Sequence, residues 1–129
     1  YINIARNAGA IPILATSVSR RKLSDESLEE YVNAAKELGK ELNIPVLDVY
    51  KRTNDWINEV GLEEAKSLYK IIKPHDERFM YNPEFLNSQF YENGDDDDTH
   101  LNIFGADKIA FWVTEEIKKN VPELAVLLK

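Results

Sequence analysis

A chain of 129 residues, 43% hydrophobic and 30% charged, has the size and balance of one globular domain with its own core. Its net charge of −7, with Lys and Arg scattered, excludes a nucleic-acid backbone as partner, because neutralising phosphates takes a basic stripe. It contains no cysteine, which removes disulfide frameworks, thiol catalysis and Cys-based zinc sites, and no apolar run approaches a membrane span. The residues do not decide between a cytoplasmic and a secreted protein.

The chain opens without an initiator Met, and Tyr1 to Ala10 reads as the last turns of a helix closing on Gly9. That start predicts a piece of a longer domain. Ala10 to Thr16 is a short apolar run, the pattern of a strand buried on both faces, with Pro12 near its beginning for want of a ladder donor. Ser17 to Lys22 then leaves the strand's carboxyl end, where open α/β sheets bind ligands. Ser17, Arg20 and Arg21 are therefore candidate substrate contacts, with a plain solvated loop as the equal alternative. From Asp25 to Asn43 a helix is expected, its apolar face formed by Leu28, Tyr31, Val32, Ala35, Leu38 and Leu42. Ser27 and Glu30 fit a capping box, and Ser24 or Asp25 is an alternative cap. Ile44 to Tyr50 is a second buried strand in which Asp48 reads as structural, with a polar residue at the sheet's carboxyl end as the alternative.

Strand, helix and strand in this order form one right-handed βαβ crossover of a parallel sheet. Beyond it, Lys51 to Glu59 looks helical, Gly61 breaks the helix, and Leu62 to Lys70 resumes it. No period holds from Ile71 to Gly94, whose prolines and aromatics suggest a long ordered loop; His75 within it reads as surface. Asn102 can cap a further helix with a buried stripe of Ile103, Ala106, Ala110, Val113 and Ile117. Pro122 to Leu128 reads as a short closing helix. Without repeats or a linker, residues 1–129 read as one structural unit.

The chemistry concentrates in Asp95-Asp96-Asp97-Asp98-Thr99-His100. A general base needs an imidazole held in one tautomer and an acceptor that stabilises it once protonated. An Asp three residues before a His can fold back onto the ring Nδ1–H, so Asp97 and His100 are the candidate pair, and the other aspartates a local negative field. Two other readings compete. A His among aspartates is commonly an exposed loop, and four carboxylates with a His could hold a divalent cation such as Ca²⁺. The spacing, however, lacks the alternation and the glycine of an EF-hand loop.

Asp97-Asp98-Thr99-His100-Leu101-Asn102, followed by Gly105-Ala106 and preceded by Leu47-Asp48-Val49-Tyr50, resembles the carboxyl-terminal half of an SGNH (GDSL-type) hydrolase. The nearest branch is the rhamnogalacturonan acetylesterase-like carbohydrate esterases. Ile11 to Arg21 resembles the family's fourth strand and the loop after it. The resemblance implies a flavodoxin-like three-layer α/β/α fold, here incomplete, with about two parallel strands and four to five helices. It implies an acetylesterase acting on pectin-, rhamnogalacturonan- or xylan-type carbohydrate, with no cofactor and no metal. It also implies His100 as general base and Asp97 as its orienting partner, with Asp98 as the fallback if the pairing is offset by one. The family's nucleophilic serine lies in an amino-terminal Gly-Asp-Ser block that these residues lack, so the chain alone is expected to be silent. An α/β interaction domain is a further alternative. Two strands make a marginal sheet, and an exposed apolar edge predicts self-association or pairing with the missing amino-terminal half.

Overall fold

The computed structural model describes residues 1–128. Helix α1 (Ile2–Asn7) ends as the first ten residues predict: Gly9 N–H donates to the Arg6 carbonyl and Ala10 N–H to that of Ala5, both at 2.9 Å. These are the paired bonds of a Schellman ending.

Strands β1 (Leu14–Ala15) and β2 (Val46–Leu47) pair in parallel, Leu14 opposite Val46 and Ala15 opposite Leu47. They are much shorter than the apolar runs that contain them, and β1 is not buried on both faces, since Ala15 and Ile11 are exposed. Each strand has one ladder partner, and hydrogen bonding on the second edge is what lengthens a buried parallel strand.

The crossover helix α2 (Glu29–Glu41) lies between them and packs closely. A Cβ at Gly39 would sit 2.2 Å from Val46 Cγ2. Val32 is buried, but Tyr31 and Leu38 from the expected apolar face are exposed. The helix also starts later than predicted, with Leu28 at the cap position and no side-chain cap bond. Asp25 and Ser27 are engaged elsewhere. Asp25 is fully buried, and its carboxylate accepts from the Ser27 hydroxyl (2.7 Å), the Ser27 and Arg20 N–H groups (3.1 and 3.2 Å) and the Ser19 hydroxyl (3.3 Å). Burial alone would raise its pKa; the bonds from Ser27, Arg20 and Ser19 outweigh it and hold the carboxyl below its usual value. The Tyr50 hydroxyl donates to the Asp25 carbonyl, and the Tyr69 hydroxyl to the Ser19 carbonyl at 2.7 Å. The loop after β1 is therefore pinned to the body of the protein rather than freely solvated.

Helix α3 (Val49–Ala65) is capped by Asp48, which accepts from Lys51 N–H at 3.1 Å and pairs with Lys36 at 2.5 Å, the structural role expected of it. Gly61 breaks the helix with φ +81°, a left-handed conformation that side-chain-bearing residues rarely adopt. A 3₁₀ turn at Lys66–Leu68 follows, and then the expectation fails. Where the helix was to continue through Lys70, the chain turns into β3 (Tyr69–Ile72), antiparallel to β4 (Asp95–Leu101). Tyr69 and the two isoleucines suit a strand, and pairing outweighs the weak helical period. Between these strands the expected loop contains two short helices, α4 (Pro83–Leu86) and α5 (Gln89–Asn93), and it is indeed aromatic-anchored. Ring centroids of Phe79–Phe85 and Phe85–Tyr91 lie 5.0 and 6.0 Å apart.

Helix α6 (Ile103–Asn120) and the short α7 (Pro122–Ala125) complete the described chain. The buried face of α6 keeps Val113 and Ile117 of the expected stripe, which pack against the core, but departs from it in the first turns. Gly105 and Trp112 are buried and Ile109 partly so, while Ile103, Ala106 and Ala110 are exposed. Ile109 joins the two core clusters. One surrounds Ile57, Leu68, Tyr69 and Trp112, and the other Leu47, Val49 and Val121. The result is a mixed helix-and-strand structure consistent with an incomplete α/β fold of the SGNH type, with the antiparallel β3–β4 pair in addition to the expected parallel one.

Candidate active site

The segment expected as a loop, Asp95 to His100, is part of β4. Its register explains how it can still present a side chain. Tyr69 pairs with Leu101 and Ile71 with Asp96, so the single β3 residue between them, Lys70, faces four residues of β4, Asp97 to His100. The surplus forms a wide bulge, a device by which a strand re-aims a side chain.

Asp97 holds the bulge together. Its Oδ1 accepts from the backbone N–H of Thr99 (2.7 Å) and of His100 (2.8 Å), and its Oδ2 lies 2.7 Å from His100 Nδ1. The Asp97 side chain is 12% exposed, whereas the His100 side chain is 76% exposed. Burial pushes the Asp97 carboxyl upward, but the backbone bonds from His100 and Thr99 and the imidazole pull harder, bringing it down to about 2. The group is therefore ionised at neutral pH and can only accept hydrogen bonds. In the neutral ring this acceptor favours the proton on His100 Nδ1 and leaves Nε2 as the acceptor nitrogen.

The other aspartates of the run turn to separate partners. Asp95 pairs with Lys70 at 3.2 Å, Asp96 with Arg21, and Asp98 accepts from the Thr99 hydroxyl at 2.7 Å. Like charges in sequence are thus dispersed in space. Among the described residues no group of three or more His, Cys, Asp or Glu is gathered as a metal site would require. Asp97 rather than Asp98 makes the contact with the ring.

Arg21 ties this bulge to the loop after β1. Its side chain is 8% exposed, its guanidinium pairs with Asp96 and lies 6.0 Å from the Tyr69 ring centroid, and its N–H donates to the Asp98 carbonyl at 2.8 Å. Of the three candidate contacts in that loop, Arg21 is thus committed within the protein; Ser17 and Arg20 are exposed. Asn102 fixes the other end. Its Oδ1 caps α6 by accepting from Gly105 N–H at 2.9 Å, and its Nδ2 donates to the Ser67 and Tyr69 carbonyls at 2.8 and 2.9 Å. Gly105 completes the fit, because a Cβ there would lie 2.0 Å from the Leu68 carbonyl oxygen. The run His-Leu-Asn-x-x-Gly is therefore one mechanical unit that presses the start of α6 against β3.

The serine hydroxyls give His100 no partner among the described residues. Those of Ser19, Ser27, Ser67 and Ser88 bond to Arg20 and Asp25, to Asp25, to Glu64 and to Phe85 respectively. His75, read as surface, is exposed but not alone: its Nε2 lies 3.1 Å from Glu92 Oε2, a pairing across 17 positions that no sequence spacing signals. Sequence reasoning also missed β3, the Arg21–Asp96 clamp and the buried Asp25. The available signals were the Tyr-Lys-Ile-Ile run and the Asp-x-Ser turn pattern.

Asp97 and His100 thus sit together on β4, tied through Arg21 to the loop after β1. The chain is 33% identical over 124 residues to the rhamnogalacturonan acetylesterase RhgT of Bacillus subtilis (strain 168), covering 92% of this chain and 49% of that protein. It spans about half the length of the curated relative it matches, consistent with the carboxyl-terminal half of an SGNH esterase. No family model and no solved structure matches the chain significantly.

Proposed function

We propose that this chain is the base-bearing, carboxyl-terminal part of a single-domain serine esterase that removes acetyl groups from a pectin-, rhamnogalacturonan- or xylan-type carbohydrate. The observation that carries this reading is the 2.7 Å contact between His100 Nδ1 and an Asp97 carboxylate that is itself locked by two backbone N–H groups. A base so held has a fixed tautomer and a stabilised imidazolium, the two requirements of the histidine in a Ser-His-Asp triad. The acetylesterase activity of the Bacillus subtilis relative supplies the reaction class.

In this reading a serine outside these residues adds its Oγ to the acetyl carbonyl carbon while His100 Nε2 takes the hydroxyl proton. Collapse of the tetrahedral adduct breaks the ester bond, and the departing sugar oxygen takes the proton back from Nε2. Water then adds to the acyl-serine with the same help, releasing acetate and restoring the serine. Asp97 stays ionised throughout and holds the ring. Without the nucleophile the 129-residue chain is inactive; losing that group from a working triad costs on the order of 10⁶ in turnover. The exposed Ile103, Phe104 and Phe111 along α6, together with Ile11 beside β1, support pairing with a further segment or a second copy.

The test is complementation. The chain is combined with the amino-terminal half of the Bacillus subtilis relative, and acetate release is followed on acetylated rhamnogalacturonan and acetylated xylan. Release that requires both pieces and disappears with His100→Ala is the expected result. Release that survives the substitution contradicts the assignment of the base.

A further inference from the structure

Four residues opposite one cannot be held by their own ladder, so the place of Asp97 to His100 depends on bonds from outside β4. The Thr99 and His100 N–H groups, bonded to Asp97 Oδ1, shape the bulge internally without fixing it to the rest of the protein. Arg21 supplies such an attachment at two points. Its backbone N–H donates to the Asp98 carbonyl within the bulge at 2.8 Å, and its guanidinium pairs with Asp96 immediately before it.

An anchor serves only if it is itself fixed, and the loop after β1 meets that condition. Ser19, two residues before Arg21, donates its N–H to the buried Thr53 hydroxyl of α3 at 2.8 Å. Its carbonyl accepts from the Tyr69 hydroxyl of β3 at 2.7 Å, and its own hydroxyl donates to the buried Asp25 carboxylate at 3.3 Å. Burial pushes the Tyr69 hydroxyl up to about 12, with nearby Arg21 pulling the other way, so Tyr69 remains a donor at neutral pH. The same Tyr69 ring has its centroid 6.0 Å from the Arg21 guanidinium. Helix α3, strand β3 and Asp25 thus converge on Ser19, beside Arg21.

The Arg21–Asp96 pair itself is a poor source of stability. The Arg21 side chain is 8% exposed, while that of Asp96 is 59% exposed. Arg21 Nε is buried and has no hydrogen-bond partner among the described residues. Desolvating a guanidinium against a half-exposed partner, with one donor left over, offsets most of the attraction. What such a pair does supply is relative position, because the guanidinium fork is planar and rigid.

We propose that Arg21 is a positioning residue for the Asp97–His100 pair, clamping β4 at Asp96 and Asp98 so that the bulge presents the imidazole in one direction. Its bearing on catalysis rests on the esterase reading, which it deepens: Arg21 sets the aim of the base rather than contacting substrate.

Amide hydrogen exchange of the 129-residue chain is followed in the unaltered protein, in Arg21→Met, in Asp96→Ala and in the double variant. Methionine keeps an apolar stem beside Tyr69 and removes the charge. Relative to the Leu14 and Thr16 amides of the parallel pair, each single variant is expected to accelerate exchange at Thr99 and His100 about tenfold or more. The double variant exceeds the single ones by less than about twofold, because all three open the same clamp. In the complemented enzyme Arg21→Met lowers kcat roughly tenfold to a hundredfold and leaves KM unchanged, the mark of a misaimed base rather than a lost substrate contact. Acceleration shared by Leu14 and Thr16, unaltered exchange at the bulge, additive single effects, or a loss in KM alone each overturns the proposal. Bulge-specific acceleration, with no acetate release from the complemented unaltered chain, keeps the clamp and sinks the esterase. Acetate release that Arg21→Met leaves unaltered sinks the clamp alone.

Discussion

His100 and His75 both stand beside a carboxylate, at 2.7 and 3.1 Å, and both rings are more than half exposed. The carboxylates differ. Glu92 is 68% exposed and reaches His75 from helix α5, whereas Asp97 is 12% exposed and also accepts two backbone N–H bonds from the turn that carries His100. A solvated pair of the first kind holds its geometry loosely, because ordering two exposed side chains offsets most of the attraction. In the second kind the backbone fixes the acceptor, so the ring has one tautomer and one direction. Proximity to an acid is shared by both histidines; an acceptor held by the backbone belongs to His100 alone.

The comparison breaks first at the imidazole itself. In the complemented enzyme, His100→Ala should lower kcat by about 10⁶ and His75→Ala by less than twofold, as initial acetate release would measure. Comparable losses from both would erase the distinction drawn between the pairs. Asp97→Asn should cost about 10⁴ in kcat with little change in KM, because an amide favours the wrong tautomer, and Glu92→Gln should cost nothing measurable. Next in size is the support behind the pair. Gly105→Ala drives a methyl into the Leu68 carbonyl and should destabilise the chain by about 2–3 kcal/mol in urea unfolding, with Asn102→Ala losing about 1–2 kcal/mol from its cap and two donors. The smallest effect is on acid stability. Asp97 titrates lower in the fold, at about 2, than its ordinary 3.8, so its contribution is complete above pH 3.8 and lost as pH falls towards 2. Asp97→Asn should flatten the acid limb of stability in that window, and an unchanged limb would mean the carboxylate is not held as described.

The sequence made the pair legible because Asp-x-x-His is local: the side chain reaches its own backbone within one turn. The same holds for the Gly9 helix end, the Asp48 and Asn102 caps and the break at Gly61. Parallel pairing of β1 with β2 was also readable, since an apolar run, a helix and another apolar run leave few alternatives. What escaped reading depended on distant partners. Tyr69 and Lys70 continue a helical period and become strand only because β4 arrives from beyond residue 94 to pair with them. Arg21 and Asp96 meet across 75 positions, and the buried face of α6 in its first turns is set by the Leu68 carbonyl against Gly105 rather than by the helix's own pattern. The apolar stripe at Ile103, Ala106 and Ala110 was read correctly as apolar and wrongly as covered.

The account depends most on which nitrogen of His100 carries the proton. Two-bond ¹H–¹⁵N correlation of the imidazoles at neutral pH, on the 129-residue chain, reads this directly. Protonated Nδ1 and bare Nε2 at His100, lost on Asp97→Asn, is the result the account requires. A His100 protonated at Nε2, or one whose tautomer ignores the Asp97 substitution, would contradict it.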